Sequence, residues 1–196
     1  MKKAYLDANI LLAKAAGPVK EPKQYQYPLA DRVFQEIKGG KYQSVISSLT
    51  LMEVLAVLRT QKGREMQSLK GLSPEKQIEF VITESKSMYD SMLYELLQLD
   101  NLSFDLGGKT DMRKIFDTAF DIMQEKQGVV KIHNNCKKCG SKNIPHSVYK
   151  GLGSDDIIHA LFAKDIGCDV FLTFDSDFEQ LKGEERLDPL EINILR

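Results

Sequence analysis

Short apolar runs with strand character alternate with helical apolar patterns along almost all of the 196 residues, and this alternation limits the fold more than any other feature. Strands are expected at residues 3–6, 43–47, 101–106, 170–174 and 192–195. Helices are expected at roughly 10–15, 29–38, 49–60, 74–99, 111–127 and 155–166. A helix between successive strands predicts a largely parallel sheet in a single α/β domain spanning residues 1–196. In the fourth helix, Ile78, Val81, Ile82, Met88, Met92, Leu93, Leu96 and Leu97 recur at spacings of three and four, which predicts a core-facing stripe. Gly39-Gly40, Gly63, Gly71 and Gly107-Gly108 read as helix ends or loops. Hydrophobic content of 42% and charged content of 28% suit a soluble globular protein. No apolar run has the length of a membrane span, and no apolar signal region follows Met1-Lys2-Lys3, so a cytoplasmic chain without a membrane partner is expected.

In open parallel sheets, ligands bind beyond the carboxyl ends of the strands, where strand order reverses. Asp7 and Asp175 each follow a predicted strand, and Asp156 opens the helix whose entry returns to that edge. Glu53 interrupts the apolar stretch 49–58. Gathered carboxylates repel one another and resist desolvation, so such a cluster usually serves to hold a divalent cation. A metal-dependent phosphodiester hydrolase is the leading expectation. Singly, each acid has a plainer reading. Asp7 or Asn9 can cap a helix, and Thr50 with Glu53 matches the capping-box spacing. Ser154-Asp155-Asp156 can be a cap followed by acids favoured by the helix dipole, and Asp175-Ser176-Asp177 can be a polar turn. The functional reading of Glu53 rests on the apolar residues Leu51, Met52, Val54, Leu55, Val57 and Leu58 around it, which predict a helix buried on all sides.

The net charge of −1 conceals an asymmetry. Lys126, Lys131, Lys137, Lys138, Lys142 and Lys150 fall in a stretch without an acid, residues 126–154. Arg59, Lys62, Arg64 and Lys70 form a second basic group after Glu53. Basic surface beside an acidic site suits a nuclease, with lysines on phosphates; the plain alternative is a solvated loop.

The chain resembles the PIN-domain nucleases, and within them the VapC-like toxins. The matching segments are Tyr5-Leu6-Asp7-Ala8-Asn9-Ile10-Leu11-Leu12, Ser47 to Val54, Asp156-Ile157-Ile158-His159-Ala160-Leu161-Phe162-Ala163, and Phe171 to Phe178. They stand in the family's order, whereas residues 61–150 match only in their pattern of elements. The resemblance implies a three-layer sandwich with a central parallel five-stranded sheet flanked by helices. It also implies hydrolysis of RNA with Mg²⁺ or Mn²⁺ held by Asp7, Glu53, Asp156 and Asp175. Asn9 would support the first acid, and Asp177 would be an auxiliary. Asp156 fits better than its neighbour Asp155, because His159 and Ala160 follow it at the family's spacing. His159 then reads as a packing or hydrogen-bonding residue. Similar proteins are often dimers, and toxins of this type are held inactive by a partner antitoxin.

Residues 128–153 read as an inserted basic segment. His133, Cys136, Cys139 and His146 have the inventory of a tetrahedral zinc site, although not the spacing of a standard zinc finger. Free thiols or a redox pair are the alternatives. Lys137, Lys138, Lys142 and Lys150 would make a zinc-folded knuckle an RNA-binding one. Cys168 stands apart and reads as a small buried hydrophobe.

Two further classes stay open: a non-catalytic RNA- or protein-binding module of the same fold, and a structure-specific DNA nuclease. A complete acidic quartet favours the enzyme, since a retired site has no reason to keep mutually repelling carboxylates.

Overall fold

A computed structural model describes residues 1–16, 26–67, 71–105, 107–108, 110–126, 128–134, 144–150 and 153–196. The elements in chain order are β1 (Lys2–Leu6), α1 (Ala8–Ala16), α2 (Gln26–Lys38), β2 (Tyr42–Ser47), α3 (Ser48–Gln67), α4 (Pro74–Leu97), β3 (Leu102–Asp105) and α5 (Met112–Lys126). There follow β4 (Gly128–Asn134), β5 (Ile144–Lys150), α6 (Ser154–Asp165), β6 (Val170–Thr173), two short 3-10 helices (Ser176–Leu181 and Glu185–Leu187) and β7 (Glu191–Ile194).

Five strands form one sheet in the order β3-β2-β1-β6-β7. Every pairing in it is parallel, with Ala4 opposite both Ser44 and Val170. Side chains alternate across the sheet, so each strand supplies two cores. Ala4, Leu6, Ile46, Val170 and Leu172 face Ile10, Leu11, Val33, Ile37, Val54 and Leu96 of α1 to α4. Tyr5, Val45, Phe171 and Ile192 face Ile115, Ile122, Ile157, Phe162 and neighbouring residues from α5 and α6. The result is a three-layer α/β sandwich. From β1 the chain adds β2 and β3 on one side, then β6 and β7 on the other. Strand order therefore reverses between β1 and β6, and the carboxyl ends of those two strands mark the crevice where such sheets bind ligands.

Two local expectations are corrected. The stripe on α4 is buried only in its second half, at Met92 and Leu96, while Ile78 and Ile82 are 62% and 55% exposed and Leu97 also faces solvent. A helix of this length, about 36 Å, outruns the sheet, and its first half lies beside the end of α3 across a groove lined by Met66, Ile78 and Val81. Gly63 does not end a helix. It lies inside α3, where a methyl group would meet nothing. Within the segment 128–153, read as an inserted basic segment, β4 and β5 pair antiparallel as a separate two-stranded sheet, with Gly128 opposite Lys150 and Asn134 opposite Ile144. The β-branched residues Val129, Val130, Ile132 and Val148 carry that strand signal. No helix among the described residues is long and apolar enough to cross a membrane.

Candidate functional site

Asp7 occupies the seam between β1 and β6. Its backbone N–H continues the parallel ladder by donating to the Leu172 carbonyl at 3.1 Å. Its side chain is almost fully buried. The Ala8 N–H donates to Oδ1 at 2.7 Å, while Asn9 Nδ2 and the Thr173 hydroxyl donate to Oδ2 at 2.7 and 2.5 Å. The carboxylate thus binds the neighbouring strand instead of serving as an ordinary helix cap. Burial pushes its pKa up, to about 6, and the Glu53 charge adds to the rise; the Thr173 and Ala8 hydrogen bonds and the attraction of His159 oppose it.

Asn9 and Thr173 close this seam from both sides. Asn9 Nδ2 also donates to Thr173 Oγ1 at 2.9 Å, and Asn9 Oδ1 accepts from the Phe174 N–H at 3.1 Å. Thr173 Oγ1 accepts in addition from the Asp175 N–H at 2.9 Å. The supporting role expected of Asn9 therefore has a geometry. Thr173 was missed: as one residue of an apolar strand-like run, it offered only its hydroxyl as a signal.

Asp156 is the third residue of α6. Its Oδ2 accepts the Gly153 N–H at 3.0 Å, so it closes the start of its own helix. Gly153, not Ser154, is the cap residue. A side chain at Gly153 would meet Asp155 Oδ1 at 2.3 Å and Asp156 Oδ2 at 3.1 Å. Burial, with the charges of Asp155, Asp175 and Asp7, raises the Asp156 pKa to about 7 against the opposing Gly153 hydrogen bond. Asp155 is exposed. Asp175 caps the 3-10 helix that follows β6, its Oδ1 accepting from the Asp177 N–H at 2.8 Å, and Asp177 points into solvent. The polar-turn reading of Asp175 is correct, yet it occupies only one of the two oxygens.

Glu53 corrects the argument that singled it out. Helix α3 is not buried on all sides: Met52 is 69% exposed, and Leu55 and Val57 also reach solvent. The side chain of Glu53 itself is 41% exposed. The capping-box alternative fails as well, because α3 begins at Ser48 and Ser47 Oγ accepts the Thr50 N–H at 3.1 Å. Glu53 instead contacts His159, with Oε2 lying 3.3 Å from Nε2. His159 is buried, and its Nδ1 lies 2.8 Å from the Tyr5 hydroxyl. Burial lowers the His159 pKa, but the Glu53 contact and the charges of Asp7, Glu53 and Asp156 outweigh it and leave the ring above its usual value.

The four acids thus share one electrostatic environment: Asp7 feels Glu53, and Asp156 feels both Asp175 and Asp7. Among the described residues, no set of three or more His, Cys, Asp or Glu side chains stands close enough to enclose a metal ion. The donor chemistry nevertheless fits a hard cation. All four groups are carboxylates, and among the described residues Asp156 Oδ1, Asp175 Oδ2 and Glu53 Oε1 accept no hydrogen bond.

The Cys/His segment is described only in part. His133 pairs with Pro145 and His146 with Ile132 in the β4–β5 register. Cys136, Cys139, Lys137, Lys138 and Lys142 lie outside the described residues, and Lys150 ends β5. Cys168 is buried, and burial pushes its thiol up to about 12, as a small core hydrophobe requires.

Compared with known proteins, the chain matches no protein-family model and no curated sequence.

Proposed function

We propose that this chain is a divalent-metal-dependent endoribonuclease of the PIN-domain type, with Asp7, Glu53, Asp156 and Asp175 as its catalytic acids. The observation that carries the reading is the convergence of charge at the β1–β6 crevice. Two carboxylates, Asp7 and Asp156, are raised chiefly by burial, with the charge of Glu53 adding to the first and those of Asp155, Asp175 and Asp7 to the second, at the point where a parallel sheet of this order binds ligands. Mg²⁺ or Mn²⁺, when bound, would offset that charge, activate water and stabilise the negative charge that develops on the phosphate. Asp7, fixed by Ala8, Asn9 and Thr173, is the rigid member of the set. Glu53 and Asp175 lie nearer solvent. Asp177 is an auxiliary acid at the rim.

Lys137, Lys138, Lys142 and Lys150, with the exposed Arg59, are proposed to hold RNA phosphates, and the setting is proposed to be cytoplasmic. Zinc held by His133, Cys136, Cys139 and His146 is proposed to fix the loop of the β4–β5 hairpin. Unchanged zinc content in a Cys136→Ser/Cys139→Ser protein would remove that site. Exposed apolar side chains on α3 and α5, among them Met52, Phe116 and Phe120, are the surface that a second copy or an antitoxin would cover.

The deciding experiment is cleavage of labelled single-stranded RNA with Mn²⁺ or Mg²⁺, with EDTA, and with Asp7→Asn. Cutting that needs both the metal and Asp7 supports the enzyme. A second reading, a non-catalytic RNA- or protein-binding module, is favoured by the open arrangement of the acids. Failure to cut several RNAs by folded, metal-loaded protein would support it instead.

A further inference from the structure

Beneath the acids lies a buried polar chain that the proposed chemistry leaves unused. The Tyr5 ring is clamped in the core, stacked on Phe171 at 5.1 Å between centroids and edge-on to Phe162 at 6.4 Å. Its hydroxyl meets Ser47 Oγ at 2.5 Å, Thr50 Oγ1 at 2.9 Å and His159 Nδ1 at 2.8 Å. Ser47 and Thr50 are fully buried. The other ring nitrogen of His159 faces Glu53.

The protons of this chain can be counted. An ionised Glu53 can only accept, so Nε2 carries a proton. On a neutral ring Nδ1 is then a bare acceptor, and the Tyr5 O–H donates to it. The Tyr5 oxygen has two acceptor positions left, and the Thr50 and Ser47 hydroxyls fill them. Ser47 Oγ in turn accepts the Thr50 N–H. Thr50 Oγ1 also lies 3.1 Å from Ser47 Oγ and 3.4 Å from the Leu6 carbonyl, and with both hydroxyls donating to Tyr5 the chain runs on through His159 to Glu53.

We infer that Ser47, Thr50, Tyr5 and His159 form a positioning relay that sets the orientation of Glu53. The inference rests on Glu53 being a metal ligand. Nothing else in the described structure fixes this side chain: it is part exposed, it follows an exposed methionine, and His159 is its one recorded partner among the described residues. Second-layer donors of this kind hold a ligand in one rotamer, and their loss typically costs tenfold or more in metal affinity. Tyr5 is fully buried, so its hydroxyl acts on Glu53 only through its hydrogen-bond partners, and His159 is the one that touches Glu53.

The test combines Mn²⁺ titration with nitrogen NMR of the metal-free protein. Tyr5→Phe keeps the stacked ring and removes only the hydroxyl. It is expected to weaken Mn²⁺ binding roughly tenfold in the wild-type background and to have no further effect when Glu53→Gln is already present. An equal loss in both backgrounds would overturn the relay. Nitrogen spectra recorded above the titration of His159 should show the Nε2–H tautomer, and an Nδ1–H tautomer would overturn it independently. A wild-type protein that binds no Mn²⁺ but shows the Nε2–H tautomer would sink the metal reading of the site while leaving the hydrogen-bond chain in place.

Discussion

The Thr173 hydroxyl donates to Asp7 Oδ2 at 2.5 Å, joining residues 166 positions apart at the carboxyl ends of two adjacent strands. That hydroxyl also accepts from Asn9 Nδ2 and from the Asp175 N–H, so its hydrogen-bonding capacity is full.

Thr173→Val keeps the shape of this residue and strips three hydrogen bonds from a buried site. It should destabilise the protein by about 1–3 kcal/mol at pH 7, because the Asp7 carboxylate loses a donor while staying buried. Asp7→Asn relieves the buried charge but turns an amide N–H₂ toward the Ala8 N–H or toward the Asn9 and Thr173 donors, so it should also lower stability in the absence of metal. Urea unfolding of both variants measures the losses, and a neutral Thr173→Val would refute the role given to the hydroxyl.

Asp156 makes the metal-free fold sensitive to pH. Its folded-state pKa stands above the ordinary carboxyl value of 3.8, at about 7, so proton binding favours the folded state. The contribution is therefore complete below pH 3.8 and is lost as the pH rises to about 7. Asp156→Asn, which retains an oxygen for the Gly153 N–H, should flatten this decline. It should raise metal-free stability at pH 8 by about 1–2 kcal/mol, after allowance for solvent screening of a partly exposed group. Unfolding series between pH 5 and 8, with and without Mg²⁺, read the effect. A wild-type protein equally stable across that range would contradict it.

Cys168 should be inert in the folded protein. Its thiol is buried and its pKa stands near 12, so almost no thiolate is available at neutral pH. A thiol-reactive dye should label it only on unfolding, and labelling of the native protein at the rate of a small-molecule thiol would exclude the packing described for it.

Arg186 should matter less than its contacts suggest. It pairs with Glu184 and Glu125, joining the second 3-10 helix to α5. Because the Glu125 end of this pair is exposed, Glu125→Gln should change stability by less than about 1 kcal/mol, as thermal unfolding at low and high salt can show.

The five strands of the main sheet and the six α-helices among the described residues were legible because each carries its own apolar period, and periodicity depends on neighbours only through the faces it buries. The errors arose where tertiary context decides. Ile78 and Ile82 repeat as core residues do but lie where α4 has passed beyond the sheet. Met52 and Leu55 are apolar and exposed, which overturned the buried-helix argument for Glu53 although electrostatics still link it to Asp7. The β4–β5 hairpin was hidden because histidines, cysteines and lysines drew the reading away from its valines. Within the site, Asp7, Asp156 and Asp175 were visible as acids at strand and helix ends. Tyr5, Ser47, Thr50 and Thr173 were not, since a buried hydroxyl acquires meaning only from partners far along the chain.

The central position of β1 has a consequence for synthesis. This strand is made before the other four of its sheet, yet one of its two edges waits for β6, which begins at Val170. Until then the edge presents unpaired backbone groups, and Asp7 lacks Thr173. Loop closure over so long a segment is slow, so the acid centre forms among the last parts of the fold. A growing chain therefore carries its acids apart from one another, and the centre comes together only after β6 has been made.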